Sequence, residues 1–389
     1  RDRCNLRCTF CMHSTDLGWV RTHGTEAMSS ETALASARYF LDRADTENAP
    51  VISFYGGEAL LEPELIEMVM AFARAHPNGA ETTFSIDTNG VLLSDAVIDL
   101  ALKYESYLQI SVDGTRHQHD RCRVDAGGLG TFDRIMDAVG RLVRADAKAA
   151  DRLSFIITLA PPTDLFEVVD FFGDFPPFRE AGIERKPNLR VNIVNLHGQE
   201  WPDVETGFRS LDDQLDEAAE MYLEAVEAGA RDDLNPVITS LFEPDLIKFY
   251  HRLRAPLGET FTPGGNCEPG KRKLHVMPDG SFHPCERTGK NFSMGSLVEG
   301  IEPVEVRTLQ ERFHDAVKDR CGSCFALRQC GVCYAAQAQF SNAETGEFPV
   351  PEMVCDSVRR SQEKTMKMMA RLLEMPAERL AWLDDTVVV

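Results

Sequence analysis

No run of apolar residues in this 389-residue chain is long enough to cross a bilayer, and its first residues lack the basic-then-apolar pattern of a secretory signal. Positive charge is scarce: 41 lysines and arginines stand against 62 aspartates and glutamates, a formal net charge of −21. That balance argues against a nucleic-acid partner and against membrane association, and for a soluble cytoplasmic protein. No internal repeat or low-complexity segment is visible, which excludes a repeat architecture. Cysteine, by contrast, is abundant, with eleven residues, yet none lies between Cys122 and Cys267. Ten fall into spaced groups, while Cys122 stands apart and reads as a small buried hydrophobe. The chain is too long and too helical in pattern for a disulfide-stapled scaffold. Clustered cysteines then favour metal, in a reducing compartment.

Cys4-Asn5-Leu6-Arg7-Cys8-Thr9-Phe10-Cys11 spaces three thiolates as C-x3-C-x2-C, with an aromatic ring before the third. Three thiolates this close can hold three irons of a [4Fe–4S] cube. No fourth cysteine stands nearby, so one iron stays open to a ligand. The alternatives are a zinc knuckle, which would want paired C-x2-C spacings and four ligands, or three unrelated core cysteines. His13, beside the loop, reads as structural. Downstream come Cys267, Cys285, the run Cys321-x2-Cys324-x5-Cys330-x2-Cys333, and Cys355. Zinc ribbons usually separate their pairs by more than ten residues, and seven thiolates exceed the needs of one zinc. Lys273–Glu286 reads as a hairpin on an Asp279-Gly280 turn that presents Cys285 on a rigid element. Glu286 follows Cys285 directly. A carboxylate there can deprotonate a substrate, or it can simply be solvated.

Between these cysteine groups, strands alternate with helices. A helix from Ser29 or Ser30 to about residue 44 precedes the strand Val51–Tyr55, closed by Gly56-Gly57. A helix from Glu62 to about His76, the strand Thr82–Asp87 with a Thr88-Asn89-Gly90 turn, a helix from Ser94 and the strand Tyr107–Asp113 follow. Thr131 is expected to cap a helix to about Ala145. The strands Leu153–Leu159 and Leu189–Leu196 flank a helix near Leu165–Phe172. This alternation means βαβ units and a parallel sheet, as a doubly wound fold or a barrel. Two acidic helices, about 211–228 and 236–251, and Pro/Gly-rich stretches read as a bridge. A closing helix is expected over Ser357 to about Glu374, with its methionines as core filler.

The cysteine triad resembles the signature of the radical S-adenosylmethionine (SAM) family, C-x3-C-x-aromatic-C. Tyr55-Gly56-Gly57-Glu58, where glycines let backbone approach a ligand, is similar to the motif that holds the methionyl amine of SAM, with Ala59 where proline is common. Ser111-Val112-Asp113-Gly114, His119-Asp120, Arg123 and Gly130-Thr131-Phe132 resemble the sulfatase-maturase and peptide-maturase branch. The later cysteines resemble the SPASM domain, with one residue fewer between Cys330 and Cys333. The resemblance implies an α/β fold: a partial (β/α)6 barrel over residues 1–196 whose first strand lies upstream of Arg1, a helical bridge at 197–265, a SPASM domain with a β-hairpin at 266–356 and a C-terminal helix at 357–389.

It also implies cofactors and roles. SAM would chelate the open iron of a cluster on Cys4, Cys8 and Cys11, with Phe10, Gly56, Gly57, Glu58, Asn89, Ser111 and Arg123 contacting SAM. Two auxiliary [4Fe–4S] clusters would sit on Cys267, Cys285 and Cys333, and on Cys321, Cys324, Cys330 and Cys355. The first has three thiolates and so a place for a substrate thiolate. Glu286 matches the position of a catalytic carboxylate. The expected activity is installation of a thioether in a cysteine-containing precursor peptide, with flavodoxin or ferredoxin as electron donor. Carbon–carbon crosslinking, sulfatase maturation, or a non-catalytic iron–sulfur or zinc protein are the alternatives.

Overall fold

The structure, a computed structural model, describes residues 3–11, 23–44, 48–194, 209–252, 268–342 and 345–386. His13, the Pro/Gly-rich stretches at 255–258 and 262–265, and Cys267 lie outside the described residues.

Five strands form one sheet in the order β1 (Val51–Phe54), β2 (Thr83–Thr88), β3 (Tyr107–Ser111), β4 (Leu153–Leu159) and β5 (Asn188–Ile193), every neighbouring pair parallel. Sequential order with helical crossovers is the arrangement of an incomplete barrel. A doubly wound sheet would reverse its order part-way. The crossovers are α1 (Ser30–Leu41), leading into β1, then α2 (Pro63–Ala75), α3 (Asp95–Lys103), α4 (Arg116–Asp120), α5 (Phe132–Ala145), α6 (Leu165–Gly173) and α7 (Pro176–Glu180). Ser29 and Ser94 cap α1 and α3 by accepting from Thr32 N and Val97 N.

The expected cap on α5 differs. The Thr131 side chain does not cap the helix. Asp120 Oδ1 reaches back to accept from Thr131 N at 2.7 Å and Phe132 N at 2.9 Å. A carboxylate suits the positive end of the helix better than a hydroxyl. Thr131 Oγ1 instead donates to Arg123 O at 3.0 Å and meets His119 Nε2 at 3.0 Å.

The expected bridge helices are α8 (Leu211–Ala228) and α9 (Pro236–Tyr250). They do not merely connect. Tyr222, Val226, Ile238 and Leu246 join the same apolar core as Phe84, Ile110 and Phe155 of the sheet. Gly229 ends α8 in the left-handed region, at φ 76°.

In the cysteine-rich region, β6 (His275–Val276) and β7 (Phe282–His283) make the expected hairpin, with Gly280 at φ 82° in its turn. A second pair, β8 (Gly295–Ser296) and β9 (Gly300–Ile301), leads to α10 (Pro303–Cys321), α11 (Tyr334–Phe340), α12 (Glu352–Leu373) and α13 (Ala381–Asp385). Helix α12 starts at Glu352, not Ser357, so Cys355 lies in its first turn and the expected boundary at 356/357 falls inside one helix. Several contacts join this region to the preceding elements. Tyr39 of α1 packs on Phe282 with ring centroids 4.8 Å apart. Lys248 of α9 donates to Gln329 O at 2.9 Å. Among the described residues, no helix is long and apolar enough to cross a membrane.

Candidate active site

Strand register divides the sheet into two faces. Phe84, Ile86, Leu108, Ile110, Phe155 and Ile157 point to the helices and are buried. The alternate positions, Ser85, Asp87, Gln109, Ser111, Ser154, Thr158, Arg190 and Asn192, share the other face by the two-residue period of a strand. This face is mainly polar and open: along β4, every second residue is only partly buried. Parallel sheets normally have both faces covered by apolar packing. A polar, half-open face on such a sheet is therefore a cavity wall.

The cysteine loop lies against the strand ends and is tied by backbone. Arg7 N donates to Val124 O at 2.8 Å, Thr9 N to Cys122 O at 3.0 Å, and Glu58 N to Arg3 O at 2.9 Å. Cys122 is itself buried, and its carbonyl holds the loop. Cys4 Sγ accepts from Leu6 N at 3.4 Å. Cys285 and Cys330 likewise accept from the amides of Arg287 and Val332, two residues on. That local turn aims an N–H at sulfur and favours its thiolate form.

The thiols feel one another. Cys4 is raised to about 11 and Cys8 to about 12, by burial first and with Cys11 contributing to each, while Arg123 pulls Cys8 down. Cys285 is raised to about 11 by burial, with Glu286 and Cys333 adding to it. Burial raises Cys321, and Cys330, Cys355 and Cys324 raise it further. Three groups of mutually repelling thiols held beside amide donors and cations form a donor set suited to iron–sulfur clusters. Among the described residues, no three such side chains converge on a single ion position; in a cube, each thiolate binds a different iron.

The residues expected to contact SAM take up definite partners. Glu58 is buried, at 1% exposure. Its Oε1 accepts from Leu60 N at 3.0 Å and Thr88 Oγ1 at 2.7 Å, and its Oε2 from Asn89 N at 2.8 Å. Burial raises its pKa despite these bonds. Gly56 and Gly57 form the bend between β1 and Glu58, and Ser111 ends β3. Arg123 is committed to Asp113: Nε donates to Oδ2 at 2.7 Å and Nη2 to Oδ1 at 3.0 Å. Burial alone would lower its pKa, but Asp113 and the cysteine sulfurs raise it overall. Its guanidinium also lies 5.0 Å from the Phe10 ring centroid, which links the pair to the cysteine loop.

The hairpin brings a second set of charges over the open face. Glu286 Oε2 lies 2.5 Å from Lys273 Nζ. Asp87, at the end of β2, is raised to about 6, by burial first and by Glu286 second, against the pull of Lys273 and Arg190. Asp87, Lys273 and Arg190 were not singled out from the sequence. Alternation was the only signal for the first and the last: Asp87 shares the Ser85 face, and Arg190 lies on the same face of β5, two residues further along than the level of Asp87.

Residues 2–172 match the family described as Radical SAM superfamily. The chain carries a radical SAM domain. A GTP 3',8-cyclase from Mycobacterium marinum (strain ATCC BAA-535 / M) is 28% identical over 169 residues, 43% of this chain and 43% of that protein. A cysteine-type anaerobic sulfatase-maturating enzyme from Clostridium perfringens (strain 13 / Type A) is 29% identical over 136 residues, 34% of this chain and 36% of that protein. The match thus spans less than half of each relative. Among solved structures, native anSMEcpe with bound AdoMet and Kp18Cys peptide superposes with a TM-score of 0.65 at 18% identity, covering 99% of this chain and 97% of that one. The likeness in fold thus extends over the whole chain.

Proposed function

We propose that this chain is a radical SAM enzyme that oxidises a cysteine-containing peptide, joining the cysteine sulfur to a carbon as a thioether. The observation that carries the reading is convergence: the cysteine triad, the polar sheet face and the hairpin carboxylate meet at one end of one sheet. A relative that is a cysteine-type sulfatase-maturating enzyme, and a neighbour solved with a peptide, support a peptide as substrate.

Cys4, Cys8 and Cys11 would hold the SAM-binding cluster, Cys321, Cys324, Cys330 and Cys355 a second cluster, and Cys267, Cys285 and Cys333 a third within a SPASM domain at 266–356. When bound, cluster and SAM supply one-electron cleavage and a radical able to take a hydrogen atom from carbon. Phe10 and Arg123 wall the loop side. The open face would bind the peptide through Gln109, Thr158 and Asn192, with Ser111 kept for SAM. Breaking C–H and S–H to form C–S releases one hydrogen atom to the SAM-derived radical, one proton and one electron. The proton goes to a carboxylate, Glu286 or Asp87. Glu286 is already paired with Lys273, whereas Asp87 at about 6 is matched to neutral pH. An auxiliary cluster on the later cysteines, when bound, would accept the electron, and a flavodoxin or ferredoxin would supply the electron that starts each turnover.

The test is anaerobic incubation of reconstituted protein with SAM, dithionite and cysteine-containing peptides. The reading expects 5′-deoxyadenosine and a peptide lighter by two hydrogens that resists thiol alkylation. Loss of sulfur from the peptide instead would establish sulfatase-type oxidation, the second reading, which the C. perfringens relative favours. No 5′-deoxyadenosine from fully loaded protein would sink both. In the Cys4/Cys8/Cys11→Ala protein, a paramagnetic signal that shifts on adding the peptide would support thiolate binding at the Cys267, Cys285 and Cys333 cluster.

A further inference from the structure

Asn89 occupies an unusual position. It is buried at the end of β2, and each of its polar groups is spoken for. Its backbone N donates to Glu58 Oε2 at 2.8 Å. Its Oδ1 accepts from Val91 N at 3.1 Å. That bond fixes which way the amide faces, because a flipped amide would set Nδ2 against the Val91 N–H, donor to donor. Nδ2 is therefore turned to the cysteine loop. It donates to Asn5 Oδ1 at 2.8 Å and lies 3.8 Å from Cys4 Sγ. With Leu6 N at 3.4 Å, Cys4 sulfur has two N–H donors, one local and one from the sheet.

We infer that Asn89 is a positioning residue which, through the Cys4 sulfur, sets the reduction potential of the cluster held by Cys4, Cys8 and Cys11. The inference rests on the reading that this triad binds a cluster. Its physical basis is general. Adding an electron to a cluster increases the negative charge on its sulfurs, so an N–H aimed at a ligand sulfur stabilises the reduced form more than the oxidised one. Losing that donor lowers the potential. The amide cannot relax away, since Glu58 and Val91 hold its backbone and carbonyl.

Two substitutions separate the effect from simple loss of structure. Asn89→Asp keeps the shape and the bond from Val91 N, but turns a donor at Cys4 into an anion. Asn89→Ser keeps a short turn-forming oxygen and does not reach the sulfur. The whole chain is reconstituted anaerobically and titrated with reductant, following by electron paramagnetic resonance the signal that changes on adding SAM. The expected result is a tenfold or greater shift of the one-electron equilibrium toward the oxidised cluster in Asn89→Asp, about 59 mV, and a smaller shift of the same sign in Asn89→Ser, with iron content equal to wild type. Unchanged potentials in both variants overturn the inference, and weakened SAM binding at an unchanged potential would make Asn89 a direct SAM contact instead. If Asn89→Asp fails to take up iron, Asn89→Ser alone decides. A wild-type protein with no SAM-responsive signal would refute the cluster reading itself, an outcome distinct from an unshifted potential.

Discussion

Replacing Asp113 by leucine would leave a guanidinium in the core without its anion. Arg123 and Asp113 are 7% and 4% exposed. Two charge-assisted bonds of 2.7 and 3.0 Å join them, and Asp113 Oδ1 also accepts from Thr158 N at 2.9 Å. Breaking a buried pair by removing one partner costs about 3–5 kcal/mol, because the remaining charge stays desolvated. The lost bond from Thr158 adds about 1 kcal/mol. Domains of this size hold roughly 5–15 kcal/mol in total, so Asp113→Leu should come close to unfolding the barrel. The double variant Asp113→Leu/Arg123→Met removes both charges at similar volume and should recover most of the loss, since apolar replacement of a buried pair is often nearly neutral. Urea denaturation of anaerobically reconstituted proteins measures both. A cost below about 1 kcal/mol for the single variant, or a double variant as unstable as the single, would refute the view that an uncompensated charge dominates here.

Burial lowers His119 from an ordinary 6.5 to about 4, with Arg123 also lowering it and Asp113 opposing. Its neutral ring is bonded by Asp113 N at 3.3 Å and meets Thr131 Oγ1. The folded pKa lies below the unfolded one, so the stabilisation is complete above pH 6.5 and is lost as pH falls toward 4. Between pH 7 and 5 the wild type should lose about 2 kcal/mol more than His119→Gln by denaturant titration. Asp87→Asn should flatten a limb of the peptide-turnover profile that rises with pH through about 6, while leaving SAM affinity unchanged. Glu286→Gln should slow turnover by about 10²-fold or more if Glu286 takes the proton; little change there with a large loss in Asp87→Asn would assign that role to Asp87. Gly229→Ala should cost about 1–2 kcal/mol in a urea melt, because φ is 76° and an L side chain is strained there.

The parts of the molecule legible in the sequence are those where chemistry dictates residue identity over a short span. The C-x3-C-x2-C spacing of Cys4, Cys8 and Cys11 is one, within the residues 2–172 that match the Radical SAM superfamily. The strands are another: Val51–Phe54 and Leu153–Leu159 are β-branched or aromatic runs with clear ends. The hairpin also declared itself, because Asp279-Gly280 supplies the positive φ that its turn needs. Helix α10 was overlooked because its buried stripe is only Leu309, Phe313 and Val317 within a highly charged segment. The Asp120 cap on α5 comes from eleven residues upstream, so local inspection favoured Thr131.

The charged site was the least legible, for a reason that also locates it. Asp87 is a minor interruption in a strand, Arg190 an outward residue of another, and Lys273 one of many surface-type lysines. Each gains meaning only when register places Asp87 and Arg190 on one face and Tyr39–Phe282 packing lays the hairpin over it. Arg123 shows the converse. Resemblance assigned it to SAM, while its partner Asp113 stood within the same quoted motif. A guanidinium held by two bonds to a buried carboxylate has little left to offer as a mobile ligand clamp. Its remaining interactions, with the Phe10 ring and the Cys8 sulfur, make it a fixed positive charge behind the cysteine loop. That fixed charge favours the thiolate form of Cys8 and, on the reading that the triad holds a cluster, would join Asn89 on Cys4 in favouring its more negative, reduced state.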